Sequence, residues 1–385
     1  MTRLSVRLNP EQLREKVAPL FHENFARHGE LGAAVSIWQD GESVLELEGG
    51  FRDANRQQAW TPDTIVLVWS ATKGIASACL LHALQENDGN IFDRVEKYWP
   101  EFAQNGKGPL TIAQVMSHQA GLSALDVSVS ITDYAAVIAA LERQRPLWAV
   151  GGGHGYHART YGFLVDELVR RIAGISIAKY WRIHFANPLD LDLWIGLPPD
   201  LNDRCATIYA AKSGPPPEPA EFYRQLSMPG TLQRATFISP AGLHAVSAMN
   251  KPELRALEIA SFSGIGNAAA LAKFYGMLAN QGEIGGRRCF DAKTLAWMTT
   301  PLSEGVDRVF GIPTAFSAGF MLNSDRGIFG TCREAFGHPG AGGSNAFADP
   351  ENGIAFACVM NQMEQTLLPS GKGQRLVDAI YRIHR

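Results

Sequence analysis

Strand-forming runs lie near both ends of this chain, and the long stretch between them reads as helix and loop. Ala33 to Trp38 and Ser43 to Glu48 are short β-rich runs joined around Asp40-Gly41, a dipeptide suited to a tight hairpin. Ser317 to Asn323, Ser344 to Ala348 and Ile354 to Met360 have the same character, separated by Gly-rich or Asp-Pro-Glu-Asn-Gly turns. A last amphipathic segment, Gln374 to Ile383, places Val377, Ile380 and Tyr381 at helical spacing. The middle carries helical patterns, such as Thr160 to Ile172 and Ala268 to Leu278, broken by a proline-rich loop at residues 214–219. Strands at both ends with helices between predict one antiparallel sheet built from the two termini, with the helical part inserted into it. The fold class is therefore α/β (α+β). Residues 1–80 together with 285–385 form the sheet unit, residues 81–284 the mainly helical unit, and a cleft for the site lies between them.

The 385 residues exceed what one small core requires, consistent with two packed units. Net charge is −3 with no basic stripe, which argues against nucleic acid as a partner. No apolar run approaches the roughly 18 to 20 residues that span a bilayer, so no membrane partner is expected. The first ten residues lack an apolar core followed by a small-residue cleavage site, which predicts a cytoplasmic protein. Five widely spaced cysteines, Cys79, Cys205, Cys289, Cys332 and Cys358, offer neither metal-ligand spacing nor a disulfide framework and read as buried thiols. No cofactor or metal is expected, and neither H-E-x-x-H nor G-x-S-x-G occurs.

The chemistry-bearing candidate is Ser70-Ala-Thr-Lys73, an S-x-x-K pattern that sets serine and lysine on consecutive turns of one helix face. The pattern is short enough to arise by chance, and it occurs twice: Ser176-Ile-Ala-Lys179 is the second copy. Context separates them. Ser70 is followed by Gly74 to Leu84, apolar on almost every face, so this helix belongs at the centre of the protein. A lysine on its first turn loses water and sits near the positive end of the helix, and both effects lower its pKa. Such an amine can accept the serine proton or hold a neighbouring phenolate as base. Ser70 would also bring a backbone N–H free to meet an oxyanion. Ser176 follows Ala173-Gly174-Ile175, between two helices, and reads as a cap with a solvent-facing Lys179.

With these residues in place, the chain resembles the serine β-lactamase and penicillin-binding-protein superfamily, and within it the class C β-lactamases and their relatives, the family VIII carboxylesterases. Four segments carry the resemblance in order: Trp69 to Gly74, Met116 to Leu122, Gly153 to Ala158 running into a helix from Tyr161, and Gly337 to Ala341. The resemblance implies a β-lactamase-like fold and catalysis by Ser70, Lys73 and Tyr156. Tyr156 would be the general base, its phenol pKa lowered by Lys73. Tyr161, His154 and His157 are the competing assignments in that segment, the histidines reading as local packing or loop-bonding groups. His118 reads as loop-shaping. His338 and Gly340 would lie on an edge strand facing Ser70. There Gly340 would admit the substrate backbone, His338 would donate to substrate or polarise Tyr156, and the N–H of Ala341 would complete the oxyanion hole with Ser70.

Two departures bear on substrate. The tyrosine motif of β-lactamases reads Tyr-x-Asn, and here its third position is Ala158; the strand motif has His338 where they carry lysine. Together with the apparent lack of export, these changes favour small-molecule carboxylic esters, with short acyl chains, over lactams. A β-lactamase or D-alanyl peptidase, an acyltransferase of the same fold, and a catalytically dead binding protein are the alternatives. Trp69, Trp148, Tyr180 and Trp194 are candidates for the cleft lining, though such aromatics are more often core.

Overall fold

The computed structural model describes residues 7–212, 219–323, 327–366, 368–369 and 371–383. Helix α1 (Pro10–Arg27) starts where Asn9 accepts from the backbone N–H groups of Glu11 and Gln12 and Pro10 supplies a preset φ. Its buried residues Leu13, Val17 and Phe21 recur every fourth position and form one face. The hairpin β1 (Gly32–Gln39) and β2 (Glu42–Gly50) turns at Asp40 and Gly41, with φ of 51° and 81°, the two left-handed residues such a turn needs.

The helices that build the middle of the molecule include α2 (Thr72–Glu86), α3 (Thr160–Ala173), and the short pair α4 (Ala220–Ser227) and α5 (Leu232–Ile238). Every residue of α2 from Thr72 to Leu84 is buried, so it has no wet face. Each Leu or Ile there contributes about 1.5–3 kcal/mol by leaving water. Helix α6 (Ala268–Ala279) follows, capped by Asn267. The remaining strands of the large sheet are β3 (Ser303–Val306), β4 (Pro313–Phe316), β5 (Met321–Leu322), β6 (Phe336–Pro339), β7 (Asn345–Asp349) and β8 (Ile354–Met360), and α7 (Gly371–Ile383) ends the described chain.

These eight strands form one antiparallel sheet in the order β2-β1-β8-β7-β6-β5-β4-β3, joining the two ends of the chain through β1 and β8, where Val35 faces Cys358. Strand β8 shows why this sheet takes helices on both faces. Its Ile354, Phe356, Cys358 and Met360 pack with α1 and α7, while the alternating Ala355, Ala357 and Val359 meet α6. The small residues let α6 lie close to the strand.

Two expectations are corrected. The run Ser317 to Asn323 is not one strand: Ser317 N–H donates to the Phe320 carbonyl at 2.9 Å across Gly319, whose φ is 85°, and only Met321–Leu322 pair. Strand β6, which carries His338, is not an edge strand but lies between β7 and β5. Because β5 covers only Phe336 and Gly337, the outer side of β6 is open from His338 onward. Helix α1 and strands β3 and β4 are further elements beyond the expected ones. The proline-rich loop lies outside the described residues, apart from Pro219. Among the described residues, no helix is long and apolar enough to cross a membrane.

A small sheet positions the site. Val66–Leu67 pairs with Gly264–Gly266, which pairs in turn with Leu193–Ile195. This brings the loop before Gly264 beside the start of α2.

Candidate active site

The segment from Val68 enters α2 through a tight turn. Trp69 has φ of 51°, a left-handed value that few bulky residues adopt, and Trp69–Ala71 form one 3-10 turn leading into the helix. Four bonds hold this turn. Val68 N–H donates to Gly264 O at 2.9 Å, the Thr72 hydroxyl donates to Trp69 O at 2.5 Å, Gly264 N–H donates to Thr72 Oγ1 at 2.9 Å, and the Ser344 hydroxyl donates to Val68 O at 2.9 Å. Ser70 is the second residue of the turn, so its N–H has no acceptor within it.

Lys73 is fully buried one turn on. Its Nζ lies 3.2 Å from Ser70 Oγ, 2.9 Å from Ala158 O and 2.8 Å from Ser261 O. Burial pushes its pKa well below the usual lysine range, and none of its three hydrogen-bond partners is a carboxylate. A neutral amine fits these three partners: two N–H bonds go to the carbonyls, and the lone pair faces Ser70 Oγ. The ammonium fits them too, as three donors to three acceptors. The amine can therefore gain or lose a proton without rearranging.

Tyr156 sits on the loop before α3, buried, and lines the same cavity as Ser70, which stands near enough to its hydroxyl to influence its pKa. Lys73 Nζ lies over its ring, 4.9 Å from the centroid. The predicted lowering of the phenol pKa is corrected. Burial raises it, nearby Ser70 only partly offsets this, and Tyr161 and Asp307 raise it further. The cation was expected beside the phenolic oxygen, but it lies against the ring face instead.

Ser70, Tyr156, His338, Gly340 and Ala341 share one cavity of about 150 Å³. His338 is buried and its Nδ1 lies 2.8 Å from Pro339 O, so the proton sits on Nδ1 and is donated to that carbonyl. Burial, and then Lys73, push its pKa down to about 3, so the ring is neutral. Its Nε2 is buried without a partner, which leaves an acceptor where a donor was expected. Gly340 also differs from its expected part. A Cβ there would meet Ser344 Oγ at 2.1 Å and Val68 O at 2.2 Å, so what approaches closely is the nucleophile turn, not substrate backbone. Ala341 opens the 3-10 turn Ala341–Gly343, which leaves its N–H without an acceptor inside that turn.

The competing residues are committed elsewhere. The Tyr161 hydroxyl pairs with Ser77 Oγ at 2.7 Å. His157 Nδ1 donates to Gly155 O and its Nε2 accepts from Leu122 N–H, while His154 Nε2 meets Thr314 Oγ1 at 2.7 Å. His118, with φ of 62°, accepts the His157 N–H at Nδ1 and shapes the loop behind Tyr156. Ser176 caps a short helix by accepting Lys179 N–H, and Lys179 is exposed. Tyr180 and Trp194 pack elsewhere, against His184 and Arg182, and Trp148 packs on His157.

Sequence reasoning missed two groups. The first is the Ser261 carbonyl, which carries no side-chain signal because any residue supplies one. The second is the apolar wall from α4 and α5 (Phe222, Tyr223, Leu226 and Phe237), joined by Phe310 from the loop after β3. Their amphipathic spacing is legible, but nothing in it states that the apolar face covers Ser70.

The architecture and these motifs define a serine hydrolase of the β-lactamase fold. The chain belongs to the Beta-lactamase family, whose model matches residues 15–377. It is 31% identical to the esterase/beta-lactamase LipL of Mycobacterium tuberculosis over 88% of this chain and 78% of that protein. Among solved structures, a penicillin-binding protein homolog from Caulobacter crescentus superposes with a TM-score of 0.87 at 35% identity, covering 98% of this chain and 99% of the other. A family VIII carboxylesterase superposes at 0.86 and 34% over 96% and 97%. EstA from Arthrobacter nitroguajacolicus does so at 0.85 and 27% over 100% and 99%.

Proposed function

We propose that this protein is a carboxylesterase that works through an acyl-enzyme on Ser70. The observation that carries this reading is the neutrality of the cavity. Among its described lining residues there is no Lys, Arg, Asp or Glu, and His338 is uncharged. A lactam or peptide carboxylate would lose its water there without gaining a cation, whereas an uncharged ester carries no such desolvation cost. Ala158 points the same way: in place of an amide side chain it offers its carbonyl, which Lys73 occupies. The similarity to a family VIII carboxylesterase and to EstA agrees with an ester substrate.

In this mechanism neutral Lys73 takes the proton from Ser70 as Oγ attacks the ester carbonyl, while the N–H groups of Ser70 and Ala341 receive the developing oxyanion. Tyr156, kept protonated by its burial, passes a proton to the departing alkoxide and is reprotonated from Lys73. Water then enters by the reverse route and releases the acid. The cavity volume and its wall of Phe222, Leu226, Phe237 and Phe310 suit a short apolar acyl chain.

The test is turnover of p-nitrophenyl acetate through octanoate, and of nitrocefin, by the native protein, Ser70→Ala and Ser176→Ala. Short-chain ester cleavage lost only in Ser70→Ala is expected. Loss in Ser176→Ala alone would move the nucleophile. Rapid nitrocefin turnover with negligible ester cleavage would overturn the substrate assignment.

A further inference from the structure

We infer that Asp307 is a positioning residue for this reaction, holding Tyr156 at both its backbone and its ring so that the phenol stays on Ser70. The inference rests on the reading of Tyr156 as proton carrier. Asp307 directly follows β3 and is fully buried. Tyr156 N–H donates to both carboxylate oxygens, at 3.2 Å to Oδ1 and 3.1 Å to Oδ2. The same Oδ1 accepts from Val309 N–H at 2.7 Å and from Phe310 N–H at 2.9 Å. Thr314, whose Oγ1 meets His154 Nε2 at 2.7 Å, stands near enough to the carboxylate to lower its pKa, and His154 Nε2 stands 3.8 Å from Oδ2.

This arrangement does more than cap a turn. Phe310, set by one carboxylate oxygen, stacks on the Tyr156 ring with centroids 4.7 Å apart and planes 26° apart. The carboxylate thus fixes Tyr156 directly through its N–H and indirectly through its stacking partner. A second stitch runs alongside, where Arg308 N–H donates to His154 O at 3.0 Å. Burying a carboxylate with no Lys or Arg bonded to it is costly, and a neutral asparagine would cap the Val309–Phe310 turn equally well. An asparagine keeping that cap would turn its own NH₂ toward the Tyr156 N–H. Only an ion that accepts on both oxygens serves the turn and Tyr156 together.

The test is a double-mutant cycle on p-nitrophenyl butyrate with the full chain: Asp307→Asn, Tyr156→Phe and the pair, each checked by its thermal midpoint. Asp307→Asn is expected to lower kcat on the order of tenfold or more by releasing the phenol from its place, with KM within about twofold. In the Tyr156→Phe background the added loss is expected to fall below about twofold, because the group being positioned is gone. Thr314→Val, which removes the hydroxyl beside the carboxylate together with its bond to His154 Nε2 and leaves the charge, is the milder variant. Its smaller kcat loss is expected to show the same dependence on Tyr156, and it serves if Asp307→Asn does not fold. Equal losses in both backgrounds, or an unchanged kcat in Asp307→Asn, overturn the inference while leaving the Tyr156 reading intact. A Tyr156→Phe variant as active as the native protein overturns both.

Discussion

Single residues set the proton inventory of the site. Lys73 must be neutral to accept from Ser70, and its pKa is lowered by burial, so kcat/KM is expected to rise with pH through that lowered value and then level off. Lys73→Met, close in volume and unable to take a proton, is expected to cut kcat/KM by about 10²–10⁴ and abolish that limb, read from a pH–rate profile. Asp307 has the opposite sign. Its carboxyl pKa is raised by burial from 3.8 to about 6, the backbone bonds offsetting only part of the rise. The folded state therefore holds the proton longer than the unfolded chain. That stabilisation is complete below about pH 4 and is lost as pH rises through about 6. The titratable groups facing Asp307 are Tyr156 and His154. His154, whose pKa is lowered to about 4, adds an opposite slope over an overlapping window. The difference in stability between native protein and Asp307→Asn cancels His154. It is expected to shrink by on the order of 3 kcal/mol from pH 4 to pH 7 in denaturant titrations. A flat difference curve would mean the carboxyl ionises as it does in water.

At the scale of elements, the site depends on how closely β6 approaches the turn before α2. Gly340 is the contact, with Val68 O and Ser344 Oγ where a side chain would begin. Gly340→Ala must push the strand off the backbone of the nucleophile turn. It is expected to lower stability by about 1–3 kcal/mol and to lose most ester turnover together, measured by thermal unfolding and p-nitrophenyl acetate hydrolysis. Helices α4 and α5 act differently, since they wall the cavity without holding Ser70. Phe222→Ala is expected to shift the preferred p-nitrophenyl ester toward longer acyl chains by enlarging the cavity, with little change in kcat on acetate. An unchanged chain-length profile would show that the acyl group lies on another wall. The run of buried apolar residues made α2 legible as a central helix, and Ser70 and Lys73 with it. The covering role of α4 and α5 was not legible, because amphipathic spacing names an apolar face without naming what it covers.

At the scale of the whole molecule, a buried ion pair closes the chain on itself. Lys372 at the start of α7 meets Glu30, just before β1, at 2.8 Å, and both side chains are more than nine-tenths buried. Lys372→Ala would strand the Glu30 carboxylate. It is expected to reduce stability by about 3 kcal/mol, read from chemical unfolding, while turnover per folded molecule stays near native, since the pair lies outside the cavity. A loss of turnover without loss of stability would show that α7 acts on the site itself.

The sequence by itself determined that the two ends form one antiparallel sheet, that α2 is buried throughout, and that Ser70, not Ser176, shares its helix face with a desolvated lysine. Those outcomes follow from periodicity and local spacing, which the order of residues carries directly. Tertiary structure alone decided that Ser261 and Ala158 offer carbonyls to Lys73, that burial raises the phenol pKa, and that Asp307 reaches back to Tyr156. It also decided that His338 presents a lone pair where a proton was expected. The contacts among these depend on which backbone atoms long loops bring within hydrogen-bond reach of a side chain, and backbone atoms are the same in every residue, so no residue type announces them.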